Sequence, residues 1–209
     1  MASRSIIIVG GGGHTSALLG VLLAQRAPLA GIITSNPALL GSEVHGVPVL
    51  GLEKEYKLDA AKHAIVNGVG NRASAAGSGL KPRAGLYERY AQAGFRIAPV
   101  VSAQAILLPA VTQGEGVQIM PGVVVQAGAM LGEDALLNTG ALIDHDSVIG
   151  PHVHVGPGAV LCGNVSVGAL THIGAGAVVI QDIRIGSNAV IGAGAVVRRD
   201  VADGEIFFG

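Results

Sequence analysis

The chain has 209 residues, 33 of them glycine, with 3% aromatic and 13% charged residues and a formal net charge of −1. That balance excludes a basic footprint for nucleic acid and a polybasic membrane patch. Mean hydropathy is +0.56, yet no apolar run approaches the roughly 18 residues that a membrane span needs. The single cysteine, Cys162, excludes an internal disulfide framework and fits a reducing, cytoplasmic compartment.

The first elements follow from local pattern. Ser5–Val9 is a short β-branched run, Gly10-Gly11-Gly12-Gly13-His14 is a glycine-rich turn, and Thr15–Gln25 has helical apolar spacing. Strand, turn and helix in that order open a Rossmann-like unit. The apolar stretch Ile6–Val9 is too short for a secretory signal. Further strands are expected at Gly31–Thr34, at Val47–Leu50 after the Gly46 turn, and at His63–Val66. A helix is expected at Pro82–Gln92 and a last strand at Phe95–Ile97, before Pro99. Residues 1–98 are therefore expected to form a small βαβαβ domain. The turn lacks the third glycine of the dinucleotide fingerprint, and Thr34-Ser35-Asn36-Pro37 offers no acid for a ribose, so NAD is disfavoured. A phosphate or nucleotide over the helix N-terminus stays open, beside a turn that serves only tight strand-to-helix packing.

From Val101 the pattern changes to a period of six. The first position of each hexad is aliphatic, as at Ile119, Val125, Leu131, Leu137, Ile143, Ile149 and Val155, and only Gln113 breaks the rule. The fifth position is small or β-branched, as at Ala129, Ala135, Ala141, Ser147 and Val153. Seventeen hexads run from Val101 to Ala202 without an insertion. A hexapeptide repeat of this kind means a parallel β-helix over residues 99–209, stable only as a stack of several coils. Glycine often follows the inward aliphatic, at 132, 150, 156, 168, 174, 186 and 192, where it is expected to supply positive φ at the bends.

A Rossmann-like domain followed by such an array resembles bacterial sugar acetyltransferases of the PglD/NeuD type over essentially the whole chain. The resemblance rests on Ile8 to His14, Gly46 to Gly51, Gly68 to Arg72, Asn138-Thr139, Ile143 to Gly150, His154 to Gly158 and Leu161 to Val165. It implies a left-handed β-helix with triangular coils of about eighteen residues, an N-terminal nucleotide-sugar-binding domain, and a likeness to homotrimers. It also implies acetyl transfer from acetyl-CoA, as co-substrate and without a metal, to the amino group of a nucleotide-linked amino-deoxy sugar. Acylation of a sialic-acid hydroxyl is the rival within enzymes, and a non-catalytic trimeric nucleotide-binding scaffold is the rival outside them.

The resemblance also implies roles. His145 would be the general base that takes the amine proton, with Asp146 as its orienting acid and Asp144 as a competitor for that place. Gly163 lies eighteen residues, one coil, beyond His145, and its backbone N–H would stabilise the tetrahedral oxyanion. Gly12, Gly13, His14, Asn71, Arg72 and Asn138 would contact the sugar nucleotide, and His154, Gly163, Gly174 and Ala175 the coenzyme. Arg198 and Arg199 are read as a solvated corner more readily than as a phosphate site. The missing acids at Thr34–Pro37 depart from the family and leave the base open, with UDP and GDP sugars of the perosamine type both in range. His154 and His172, eighteen apart, should stack on one face. The ligand spacing of the zinc-binding hexapeptide carbonic anhydrases is absent. Cys162 has no activating neighbour in sequence and is not expected to be a nucleophile. Members of the family usually continue past Gly209 with a short Pro-Ala-basic tail, which implies a shortened end here.

Overall fold

The structure, a computed structural model, describes residues 4–71, 73–74 and 77–209. It divides into two compact units, Met1–Gly70 with Gly85–Val100, and Asn71–Ala84 with Val101–Gly209. No helix among the described residues is long and apolar enough to cross a membrane.

The first unit is a five-stranded sheet. Its strands are β1 (Ser5–Val9), β2 (Leu29–Thr34), β3 (Glu43–Val44), β4 (Val47–Leu52) and β5 (His63–Asn67), in the spatial order β3-β4-β2-β1-β5. All are parallel except β3, which runs antiparallel to β4. The continuous apolar runs reflect burial on both faces, with Ile7, Ile8, Ile32, Ile33 and Ile65 fully buried. Helix α1 (Gly13–Ala24) starts two residues before the expected Thr15, because its N-cap is Gly12 with extended backbone rather than a side-chain cap. The expected βαβαβ order is short of one helix: β4 lies beside β2 and is reached through the β3 hairpin. His45 and Gly46, at φ 49° and 79°, make the two-residue turn between Val44 and Val47, the geometry that right-twisted hairpins favour. The expected strand at Phe95–Ile97 reduces to one parallel bridge between Ile97 and Ile65. Gly94 at φ 78° precedes it and Pro99 follows, so little backbone is left to pair.

The second unit is the parallel β-helix. Two-residue strands stack into sheets of six, five and seven strands, one per face of the coil. Registers advance by one coil, as in Leu137 with Val155 and Ile173 with Ile191. The inward positions Ile119, Val125, Leu137, Val155, Leu161 and Ile191 are fully buried, and so are small fifth positions such as Ala135, Ala141 and Ala159. Gln113 lies exposed on the outermost rung of the five-stranded face, where no preceding coil stacks on it. The seven-stranded face has buried outer residues, Gln118, Leu136 and His154. On the other two faces Ile106, Leu142 and Val196, and Met130 and Val148, are exposed.

The glycine expectation needs correction. Positive φ falls not on the residue after the inward aliphatic but two positions later, at every sixth residue from Ala110 to Gly194. Those corners include Asp134, Asp146, His152, Asn164, Leu170, Asp182 and Asn188. Glycine after the aliphatic is demanded by space instead. A Cβ at Gly132, Gly156 or Gly174 would lie 2.5–2.7 Å from a backbone nitrogen of the next coil. The period also ends earlier than counted. Ile185 pairs with Val201 and Val190 with Ile206, each sixteen residues on, so the last coil is two residues shorter at Arg198–Asp200. Val201 thereby takes an inward-rung position rather than a fifth position.

Candidate active site

His145 and Asp146 occupy the corner that follows the rung Leu142–Ile143. The ladder fixes this corner from both sides: Asp146 N–H donates to Ala127 O at 3.1 Å, and Asn164 N–H donates to His145 O at 2.9 Å. Asp146 sits at φ 57°, a conformation that Asp and Asn tolerate better than most residues. Its carboxylate then reaches back to the imidazole, with Oδ2 2.9 Å from His145 Nδ1. Asp144 does something else, accepting the His145 backbone N–H at 2.8 Å. His145 is 61% exposed at its side chain. The hydrogen bond that Asp146 accepts from the ring and then the charge of Asp144 hold its pKa above the ordinary 6.5. Below the corner, Asn164 Nδ2 donates to Asp182 Oδ1 at 2.8 Å, and the Asp182 charge also favours the protonated ring.

Gly163 lies directly against that ring. A Cβ there would be 2.5 Å from His145 Nε2 and 2.7 Å from Cε1, so any side chain displaces the imidazole. Among the described residues no protein acceptor takes the Gly163 backbone N–H. Nδ1 is thus committed to Asp146, while Nε2 looks across one coil at a glycine with an unused donor. Beside this corner runs a groove of about 210 Å³ on the six-stranded face, lined by Val124, Gln126, Leu142, Asp144, Val160 and Cys162, among others.

A second polar cluster sits on the seven-stranded face. His154 and His172 pair one coil apart, with ring centroids 4.9 Å apart and edge to face. The Asn71 side-chain amide lies 3.3 Å from His154 Nδ1 and 2.8 Å from His172 Nδ1. Asn138 is 3.4 Å from His154 Nε2 by its Nδ2, while its Oδ1 accepts the Thr139 backbone N–H at 2.8 Å. Burial lowers the His172 pKa to about 4, so that ring is neutral near pH 7. The sequence placed His172 only as a stacking partner of His154. The structure adds it, with Asn71, to the same cluster.

In the first unit the glycine-rich turn has two halves. Gly10 and Gly11 are demanded by space, since a Cβ on Gly10 would be 2.7 Å from the Gly68 carbonyl carbon and one on Gly11 2.6 Å from Leu39 Cδ1. Gly12 and Gly13 are exposed, and a Cβ on either would meet nothing within 4 Å. They open the N-terminus of α1, which carries no side-chain cap. His14 packs beside Gly70 and Thr15 Oγ donates to Gly68 O at 3.2 Å. Gly174 is buried and sterically required by the next coil, and Ala175 is exposed. Arg72 lies outside the described residues. No group of three or more His, Cys, Asp or Glu among the described residues has metal-site geometry.

The structure therefore gathers His145, Asp146 and Gly163 at one corner, gathers Asn71, Asn138 and His154 on another face, and exposes Gly12 and Gly13 at a helix start. Sequence reading did not single out Arg83 or Asp134, which form a buried ion pair that His152 joins by a hydrogen bond. Aligning the hexads would have shown Asp134 and His152 one coil apart at the same corner, but nothing periodic points to Arg83.

A family described as bacterial transferase hexapeptide (six repeats) matches residues 146–181. Solved structures match over nearly the full length. GDP-perosamine N-acetyltransferase from Caulobacter crescentus, in complex with CoA and GDP-perosamine, is 33% identical with a TM-score of 0.85, over 98% of this chain and 93% of that one. Two of its structures carry a histidine replaced, by alanine in one and by asparagine in the other. The acetyltransferase domain of PglB from Neisseria gonorrhoeae, in complex with acetyl coenzyme A, is 32% identical with a TM-score of 0.88, over 98% and 96%. WeeI from Acinetobacter baumannii is 25% identical with a TM-score of 0.82, over 99% and 97%. No curated protein matches the chain.

Proposed function

The chain belongs to the hexapeptide-repeat acetyltransferases, and we propose that it transfers the acetyl group of acetyl-CoA to the amino group of a nucleotide-linked amino-deoxy sugar. The observation that carries this reading is the corner where His145 Nε2 faces Gly163 while Nδ1 is held by Asp146. The relatives crystallised with GDP-perosamine and with acetyl coenzyme A support the substrate class.

The chemistry then follows from the atoms. The sugar amine attacks the thioester carbonyl carbon as His145 Nε2 takes a proton from its nitrogen. The carbonyl oxygen gains the electron pair, and the unused Gly163 N–H donates to it. The tetrahedral intermediate collapses, the C–S bond breaks, and the imidazolium returns the proton to the CoA thiolate. The products are an amide and free CoA, and no acyl-enzyme forms. Asp146 keeps the imidazole in the tautomer with Nδ1–H and stabilises its charged form, and Asp144 instead holds the backbone of the same corner.

Gly12, Gly13 and His14 are assigned to the sugar nucleotide. The backbone N–H groups at the start of a helix without a side-chain cap suit a diphosphate, and the two open glycines let it approach the backbone. Asn71, Arg72 and Asn138 are assigned to the same substrate. His154, Gly163, Gly174 and Ala175 are assigned to the coenzyme, whose thioester would lie in the groove beside Asp144 and Cys162. The exposed apolar ladders at Ile106, Leu142 and Val196 and at Met130 and Val148 suit burial between copies in a homotrimer. Likeness to the perosamine enzyme supports GDP over UDP as the nucleotide.

The test is CoA release from acetyl-CoA with UDP-, GDP- and dTDP-linked 4-amino-6-deoxy sugars beside their 4-hydroxy counterparts. Release with an amino sugar and one nucleotide is expected. Release only with hydroxy sugars, or with none, contradicts the reading.

A further inference from the structure

Arg83 is the largest fully buried side chain of the described residues, and its charge does not belong to the corner that holds His145. It lies in the first turn of α2 (Lys81–Gln92), next to the end of the segment Asn71–Ala84, which groups with the β-helix. Its Nη2 is 2.7 Å from Asp134 Oδ1 and 3.4 Å from the Asp134 carbonyl oxygen. The other carboxylate oxygen, Oδ2, is 3.1 Å from His152 Nδ1. Arg83 and Asp134 are fully buried and His152 is 9% exposed at its side chain.

The corner geometry makes this possible. Asp134, His152 and Asn188 sit in one column of positive-φ corners, spaced by coils. Two of these side chains, Asp134 and Asn188, meet the same segment, and His152 meets Asp134. Arg83 meets Asp134, and Ser78 Oγ donates to Asn188 Oδ1 at 3.2 Å, so residues 78–83 span four rungs of the column. At the other end of the same segment Asn71 touches His154 and His172.

We propose that Arg83, Asp134 and His152 are positioning residues: their network pins the 71–84 segment to this column and thereby sets Asn71 against His154. The inference rests on the acetyltransferase reading only in what Asn71 contacts. Burial holds the Arg83 guanidinium below its ordinary range, opposed by the charge of Asp134. A buried charge in that position needs its partner, because removing one member of a buried pair leaves the other uncompensated. His152 supplies the second donor that leaves neither carboxylate oxygen of Asp134 unmatched. An apolar pair would have packed this face with less desolvation. Here Arg83 Nη2 meets both the carboxylate and the backbone carbonyl of Asp134, so the contact fixes direction as well as distance.

The test uses the full chain and three variants, Asp134→Asn, His152→Ala and His152→Asn. Two readouts are taken: hydrogen exchange of peptides covering 71–84, and KM for the amino-sugar nucleotide against KM for acetyl-CoA and kcat. Asp134→Asn is expected to speed exchange in that segment at least tenfold and raise the sugar-nucleotide KM about tenfold, with kcat and the acetyl-CoA KM within twofold. His152→Ala is expected to raise the same KM about threefold. His152→Asn keeps a donor near the Nδ1 position and tolerates positive φ, so it is expected to restore both readouts. Asp134→Asn that exchanges and binds like wild type overturns the proposal. If Asp134→Asn does not fold, equal behaviour of the two His152 variants overturns it. A purely structural role would move thermal stability and leave the KM split unmoved, which also overturns it. Wild type that acetylates no amino sugar contradicts the proposed function and leaves the exchange readout to decide the network.

Discussion

Two histidines on the same solenoid show how one scaffold makes opposite chemical environments. His145 stands at a corner, exposed, with Asp146 on one nitrogen and the field of Asp144 and Asp182 around it, and its pKa is raised. His172 stands on a face, half-buried beside His154 and Asn71, and that burial lowers its pKa to about 4. Backbone and repeat are the same in both. What differs is position within the hexad: His145, at its third position, reaches the flanking corner carboxylate, while His172, on a covered rung, meets an uncharged amide and neighbours that bury it. The first arrangement suits the proposed general base, an exposed imidazole whose charged form its neighbours favour. The second makes a neutral hydrogen-bonding ring.

The largest test of that difference is His145→Ala. Loss of a general base costs on the order of 10³-fold in kcat, with circular dichroism and oligomeric mass unchanged because the side chain is exposed. Full activity in this variant would break the assignment of the corner as the reactive site. Gly163→Ala sharpens it, since the added methyl has to displace the His145 ring at 2.5 Å. A fall of roughly 10²-fold in kcat is expected for a misplaced base, read together with unchanged thermal stability. Wild-type kcat in Gly163→Ala would mean that the ring works from another position.

The smallest effect is thermodynamic and belongs to His172. Its folded pKa lies below its unfolded value of 6.5, so the unfolded chain binds the proton more readily. Its contribution is fully present above pH 6.5 and is lost as pH falls toward 4. Equilibrium unfolding should therefore lose about 2–3 kcal/mol more in wild type than in His172→Asn across that window. Parallel curves for the two proteins would remove burial as the cause of the shift.

Much of this was legible beforehand. A strict period of six places every inward residue from Ile119 to Val197, and adding one coil to His145 arrives at Gly163, which the structure brings to the ring. The period does not carry the reason for the glycines. Period tells that Gly132 and Gly174 recur, but only the stacked coils show that the next backbone leaves no room for a Cβ. The two-residue shortening at Arg198–Asp200 was hidden because Val201 fits either count and only pairing with Ile185 decides. The β3 hairpin carried a signal in His45-Gly46, the kind of dipeptide that takes two positive φ angles. Arg83 with Asp134 carried none, since the pairing crosses 51 residues and links a helix start to a coil corner.

The most direct test of the account compares the pH dependence of kcat/KM in wild type and Asp146→Asn, on whichever amino-sugar nucleotide is turned over. Asp146 is the first cause of the raised His145 pKa, and a base must be unprotonated to accept the amine proton. Wild type should lose activity as pH falls through an apparent pKa above 6.5. In Asp146→Asn that acid limb should move to lower pH and the plateau should drop about tenfold or more. An acid limb at the same pH in both proteins would mean that the titrating group is the sugar amine or another residue, and that His145 is not the base.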